Sequence, residues 1–301
     1  MAVAPASIDT DLRPTKPPRT FRQTLLIVFL AATALVWLSP ILAAIYTSLR
    51  PFEETAAKGY FSLPDTLNFN NYVTAWTQAD LLQYFLNTLY VTVPAVLVTL
   101  FLSSLIAFGL SRYNLKFNVF MLLLVTAGNL LPQQTLITPL YRMFLSIPLP
   151  TWLSETGIMY DSYFGIIVIH VAFQMGFCAF VMSNYMKTLS HELTEAAVID
   201  GAGVWRQYWS IILPLLKPVM AALGTLQFTW IYNDFFWARV LMGSGDKRPI
   251  TSALDSLQGL YFTDPNLISA GSVMAAIPTL IVFLLLSKQF VSGLTLGSSK
   301  G

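Results

Sequence analysis

Charge is scarce in this 301-residue sequence: Asp, Glu, Lys and Arg make up 11% of it, against about 25% in an average soluble domain. So little polar surface cannot shield a chain that is 55% hydrophobic with a mean hydropathy of +0.62. A water-soluble fold is excluded on that ground. The net charge of +2 is too small for a basic surface that would hold nucleic acid. One cysteine, Cys178, sits inside an apolar run, which excludes a disulfide framework and a cysteine-rich metal site. The two histidines, His170 and His191, lie too far apart in depth to share a metal. Neither a catalytic constellation nor a metal or cofactor site is expected. No G-x-x-x-x-G-K-[ST] run occurs, so the chain has no Walker loop for nucleotide phosphates. The alternating polarity of outer-membrane barrel strands is also missing.

Long apolar runs are present instead. A membrane helix needs about 20 such residues, and six stretches qualify, at 24–48, 85–111, 117–139, 163–185, 217–241 and 268–290. They predict an all-α polytopic membrane protein with six transmembrane helices in a lipid bilayer. Arg13, Lys16, Arg19 and Arg22 precede Leu25–Leu49. That run exceeds the roughly 7–15 residues of a signal sequence and has no A-x-A site, so it reads as a retained first span. Lysines and arginines number eleven on the side of the N-terminus and six on the other, which predicts both termini in the cytoplasm. The expected division is a disordered tail at 1–22, rich in proline (Pro14, Pro17, Pro18), a membrane domain at 23–292 and a short cytoplasmic tail at 293–301.

Three outer segments, 50–84, 140–162 and 242–267, are longer than minimal connections, and the first mixes aromatics with asparagines, as in Asn68-Phe-Asn-Asn71-Tyr72. They either offer a docking surface to an external partner or only cap the bundle. The cytoplasmic interval 186–217 reads as two short helices. Ser190 can cap the first through its hydroxyl, with Leu189, Leu193, Ala196 and Ala197 forming an apolar stripe. Glu192 and Glu195 suit its first turns, while Asp200, Gly201 and Gly203 can end it. Trp205, Tyr208, Trp209 and Ile212 follow on one face of a second helix, which Pro214 and Pro218 are expected to end.

Glu195-Ala196-Ala197-x-x-Asp200-Gly201-Ala202, with Gly203 and then Ile211-x-Leu213-Pro214, resembles the EAA signature of permease subunits of bacterial ABC importers. The resemblance implies that this loop forms coupling helices docking into a groove on a cytoplasmic ATPase. Glu195 would meet a basic ATPase residue, Gly201 would form the turn, and Ala196, Ala197 and Ala202 would make close contacts. The C-terminal Phe290-Val-Ser-Gly293-Leu294-Thr295-x-Gly297 and the stretch Trp230–Trp237 are similar to those of the maltose-type carbohydrate permeases. Tyr232, Ala238-Arg239 and Met175-Gly176 depart from that pattern, and 146–160 looks longer than the family's. The implied partners are a second homologous permease subunit, a homodimeric cytoplasmic ATPase that carries the ATP and Mg, and an extracytoplasmic substrate-binding protein. The implied place is the bacterial inner membrane, and the implied cargo a carbohydrate. A polyol or phosphodiester importer remains the neighbouring reading, and an ion-coupled secondary transporter a more distant one, since it would need mid-depth carboxylates.

Polar groups inside spans are functional candidates. His170 and Gln174 stand one turn apart on one face and either line a pathway or bond to a neighbouring helix. Asp234 lies about 25 Å along its helix from Lys217, near the outer surface, as an interfacial acid or as a pathway residue. Trp230, Tyr232, Phe235, Phe236 and Trp237 could stack on a sugar ring or form an aromatic belt, and Asn233 among them is a candidate to line the pathway. Gln133 and Gln134 are similarly open, and Cys178 is expected to be a packing residue.

Overall fold

A computed structural model describes residues 20–78, 80–113, 116–128, 132–257 and 263–295. It divides into two compact units, Met1–Ala44 and Ile45–Gly301. The first contains most of helix α1 (Phe21–Ser48). Hydroxyls there turn back on their own helix, Thr33 to the Phe29 carbonyl at 2.9 Å and Ser39 to that of Val36 at 2.8 Å, so they add no unsatisfied polar group to an apolar surface. Most of the expected N-terminal tail lies outside the described residues.

The second unit is built on two parallel helices, α4 (Leu81–Arg112) and α7 (Tyr163–Thr188). Their pairing follows from side-chain size. Thr88, Thr92, Ala95, Thr99, Ser103 and Ala107 recur every three or four residues along α4 and are all buried. Small residues at that spacing let helix backbones approach closely in a bilayer, where packing and hydrogen bonds drive association. Three bonds fix the register. Tyr163 donates to Asn87 Oδ1 at 2.7 Å at one end, Ser103 to the Met175 carbonyl at 3.0 Å midway, and Arg112 to the Met186 carbonyl at 3.1 Å at the other. Helix α10 (Leu213–Tyr232) packs on α4, and α13 (Pro265–Thr295) packs on α10. Cys178 is fully buried in this core, as a packing residue should be.

Among the described residues, five helices are long and apolar enough to cross a membrane, and the third predicted span, 117–139, is not among them. It is broken into α5 (Asn118–Ala127), a 3-10 turn at Gln133–Leu136 and α6 (Ile137–Ser146). The ten residues of α5 reach about 15 Å, half of a hydrocarbon core. Pro132 holds an extended φ/ψ of −61° and 121° and disfavours helix at the residue before it. Because α4 and α7 are parallel, the chain must still travel the length of the pair between Arg112 and Tyr163.

The fifth span, expected at 217–241, also differs. It starts earlier, running as one helical stretch from Val204 to Tyr232, and it stops at Asn233. A separate helix, α11, covers Phe236–Leu241. Pro214 and Pro218 do not end the preceding helix. Instead Tyr208–Ile212 forms a π turn, with the Leu213 N–H bonding to the Tyr208 carbonyl five residues back. The wider turn relieves the clash a proline ring makes with the carbonyl four residues earlier.

Residues 50–78 fold around one buried cation. Arg50 is 1% exposed. It pairs with Glu54 at 3.2 Å and donates to the carbonyls of Gly59 and Tyr60 at 2.9 and 3.1 Å. Its own carbonyl accepts from Asn71 of α3 (Asn70–Gln78) at 2.9 Å and from Asn266 of α13 at 3.0 Å. Asn266 also reaches the Thr55 hydroxyl of α2 (Phe52–Lys58) at 2.9 Å. Asn71 thus closes the segment on itself, and Asn266 ties it to the last long helix. Among the described residues there is no β-strand, only an isolated bridge between Pro148 and Ile158.

Candidate functional site

Two places collect the sequence candidates. The first is the 186–217 loop. Helix α8 (Glu192–Ile199) begins where the Ser190 hydroxyl accepts from the Glu192 N–H at 3.2 Å. It ends in a Schellman motif: Gly201 N–H bonds to the Val198 carbonyl at 3.0 Å and Ala202 N–H to that of Ala197 at 2.8 Å. The motif puts the residue after the cap in the left-handed region, and Gly201 has φ +72°. Gln207 of α9 (Val204–Gln207) donates to the Ala202 carbonyl at 2.7 Å and braces the turn from the other side. Asp200 is the C-cap, its N–H bonded to the Ala196 carbonyl at 2.9 Å.

The expected apolar stripe is only partly turned inward. Ala197 is 6% exposed, but Leu193 is 43% exposed. Val198, Ile199, Val204, Trp205 and Trp209 are exposed as well, while Tyr208 and Ile212 are buried and anchor the second helix. The Tyr208 hydroxyl lies 2.7 Å from that of Ser104 on α4, and Trp209 stacks on Phe101 with ring centres 6.1 Å apart. The loop therefore offers apolar groups to the outside while its base is fixed to α4.

Glu195 is exposed and forms no ion pair among the described residues. It lines a groove of ≈ 520 Å³ with Arg112, His191, Val198, Val204 and Gln207. Ala196, Ala197, Asp200 and Ala202 face a second groove of ≈ 330 Å³ with Arg206 and Ile211. Leu213 is half-buried and Pro214 exposed. Arg112 is a participant that sequence reasoning passed over. Its guanidinium donates to the carbonyls of Met186, Leu189 and Ser190 at 3.1–3.3 Å, capping α7 where the helix dipole favours a cation. A basic residue closing a long apolar run was its only sequence signal.

The second place is a cavity of ≈ 390 Å³ at α7, α10 and α11, and it brings together His170, Gln174, Trp230, Asn233 and Asp234. Gln133, Phe173 and Trp237 complete its lining. Trp237 is 2% exposed and packs on Phe173 with ring centres 5.3 Å apart, whereas Trp230 is 48% exposed. Asp234 is not an open interfacial acid, because its side chain is 9% exposed. It accepts from the N–H groups of Trp237 at 3.2 Å and Ala238 at 3.1 Å, which caps α11 and explains why α10 cannot continue through it. An acid two residues ahead of a short apolar helix is a readable start signal. His170, 5% exposed, brings Nε2 to 3.5 Å from Asp234 Oδ2, close enough for an ion pair but outside hydrogen-bond geometry. Among the described residues no group of three or more His, Cys, Asp and Glu side chains could hold a metal.

Residues 77–292 match the family model described as binding-protein-dependent transport system inner membrane component. The melibiose/raffinose/stachyose import permease protein MelC of Bacillus subtilis is 30% identical over 284 residues, 94% of this chain and 99% of that one. The arabinooligosaccharides transport system permease protein AraQ of Halalkalibacterium halodurans is 30% identical over 280 residues, 92% and 96% of the two chains. Among solved structures, a bacterial ABC transporter involved in the import of the acidic polysaccharide alginate aligns with a TM-score of 0.71 at 23% identity, covering 91% of this chain and 100% of that one.

Proposed function

We propose, on the premise that this chain belongs to the family of binding-protein-dependent transport system inner membrane components, that it forms half of the translocation pathway of an ATP-driven carbohydrate importer. A component of this family is a multi-pass inner-membrane permease without bond chemistry of its own, and its ATPase is a separate chain. The carbohydrate cargo is supported by relatives whose names specify import of melibiose, raffinose and stachyose and transport of arabinooligosaccharides. A substrate-binding protein outside and a second permease subunit complete the pathway, in keeping with the family's description.

The observation that carries the mechanism is the loop at 186–217. Two short helices meet at Gly201, their base is anchored through Tyr208 to α4, and their outer face carries unpaired Glu195 beside exposed Val198, Ile199 and Trp205. Such a face suits a groove on a partner, with apolar contact supplying affinity and one carboxylate setting orientation. On ATP binding, the two ATPase subunits would close and carry the docked loops of both permeases with them. Arg112 and Tyr208 would pass that movement to α7 and α4. Bound sugar would enter the opened pathway, and hydrolysis would reset it.

Transport into vesicles bearing the assembled complex, with ATP on the ATPase side, tests this reading. Glu195→Arg should reduce ATP-dependent sugar uptake at least about tenfold, as reversal of an interfacial charge does, with helix content by circular dichroism unchanged. Uptake driven by an ion gradient without ATP, or unimpaired in the variant, would overturn it.

A further inference from the structure

We infer that the cavity at α7, α10 and α11 is a subsite for an uncharged sugar unit and that it excludes a uronate. The inference rests on the carbohydrate reading and adds to it a charge selectivity located on this chain.

Hydroxyl chemistry fits the lining. Gln133, Gln174 and Asn233 bring amides to the cavity, and each amide offers both donors and an acceptor. His170 Nε2 is buried and has no hydrogen-bond partner among the described residues, although Asp234 Oδ2 stands 3.5 Å away. A group that both donates and accepts fits beside the pair: a sugar hydroxyl can donate to Oδ2 and bond to Nε2 at once. Desolvated polar atoms left without partners are disfavoured, so the site is incomplete as it stands and such a hydroxyl completes it. Trp230, about half exposed, offers a flat face to the apolar side of a pyranose ring, and Phe173 and Trp237 make the adjoining wall. The volume of ≈ 390 Å³ falls within the roughly 300–1,000 Å³ of small-molecule pockets.

Charge decides the selectivity. Among the described residues, Asp234 is the only carboxylate lining the cavity, and neither lysine nor arginine lines it. A uronate carboxylate can only accept hydrogen bonds. Placed here, it would stand beside Asp234 in a partly desolvated site with no fixed cation to offset the repulsion. Specificity built on an unpaired like charge is a common device. The alginate importer shares this fold and handles an acidic polymer, so ring charge is a property on which proteins of this fold differ.

The test uses the complete importer in lipid nanodiscs without its binding protein, so that the membrane cavity alone is read. Binding of raffinose, maltotriose and arabinotriose is compared with that of trimannuronate by saturation-transfer NMR. At least one neutral trisaccharide should bind and trimannuronate should not. Trp230→Ala, at a half-exposed position, should weaken the neutral ligand at least about tenfold, or about 1.4 kcal/mol. Gln174→Arg, which adds a cation without touching the α11 cap, should admit trimannuronate. Equal binding of trimannuronate by the unaltered protein overturns the inference. So does a neutral-sugar affinity unchanged in both Trp230→Ala and His170→Gln while ATP-dependent uptake of that sugar persists, an outcome that leaves the importer reading standing. Absence of ATP-dependent uptake of every neutral sugar overturns both.

Discussion

At the scale of single residues, Gly201, Gly165 and Asp234 have the most specific demands. Gly201 has φ +72°, a region that costs an L-residue about 1–2 kcal/mol. Gly201→Ala should therefore lower the thermal midpoint of the purified protein and weaken ATPase association in a pull-down. Its loss would come from backbone conformation, since nothing lies within 4 Å of the added methyl position. Gly165, in the first turn of α7, presents the opposite problem. A Cβ there would stand 2.4 Å from the Met159 carbonyl oxygen. Gly165→Ala should destabilise by about 1–3 kcal/mol through overpacking, visible as a lower midpoint in detergent. Asp234→Ala should remove two bonds at the start of α11, worth about 0.5–2 kcal/mol for a cap. Asp234→Asn should recover about half of that loss, because its single amide oxygen can accept one of the two bonds that the carboxylate oxygens take from Trp237 and Ala238. Equal midpoints for the two variants would show that the cap contributes nothing.

At the scale of elements, the interplay of hydrophobic runs and breakers decided what could be read from sequence. The stretches at 24–48, 85–111, 163–185 and 268–290 emerged as helices of similar extent because each is long and apolar enough to continue, three of them through an internal proline, Pro40, Pro94 or Pro278. The stretch at 117–139 did not: α5 ends at Ala127, and a 3-10 turn follows Pro132. The π turn at Tyr208–Ile212 was invisible in the sequence, since two prolines ordinarily signal an end and only a bonding pattern shows the helix continuing. The loop was legible in more detail: Ser190, Asp200 and Gly201 each have a single local role that sequence chemistry names. The cavity was legible only as separate candidates. His170 and Gln174 share a face by spacing, but their meeting with Asp234 depends on α10 stopping at Asn233. Cutting the loop's anchor tests this element directly. Tyr208→Phe should remove the 2.7 Å bond between Tyr208 and Ser104 while Ser104 keeps its bond to the Phe101 carbonyl, destabilise by about 1 kcal/mol and reduce ATP-dependent uptake more than Trp205→Phe does.

At the scale of the whole molecule, the expected placement of both termini on one side requires an even number of crossings. Five long helices alone would not satisfy it. We propose that the passage between Arg112 and Tyr163 supplies the sixth, since α4 and α7 point the same way and the chain must return between them. Cysteine labelling checks this. The sole cysteine, Cys178, is fully buried, so introduced thiols should report alone. With a membrane-impermeant maleimide applied from outside intact cells, Ala56→Cys should label and Thr188→Cys should not. The reverse pattern would invert the topology and remove the loop from the ATPase side.

The capping of α7 by Arg112 has a mechanical consequence. A side chain rooted on one long helix and closed over the last carbonyls of its parallel neighbour is a weld, and the small-residue seam above it resists sliding. The two helices then behave as one beam with the 186–217 loop at its end. A beam of 26 residues is about 39 Å long, so a sideways shift of about 5 Å at the loop tilts it by about 7°. Small strokes at one face of the membrane thereby become a change of aperture at the other, without any helix having to bend.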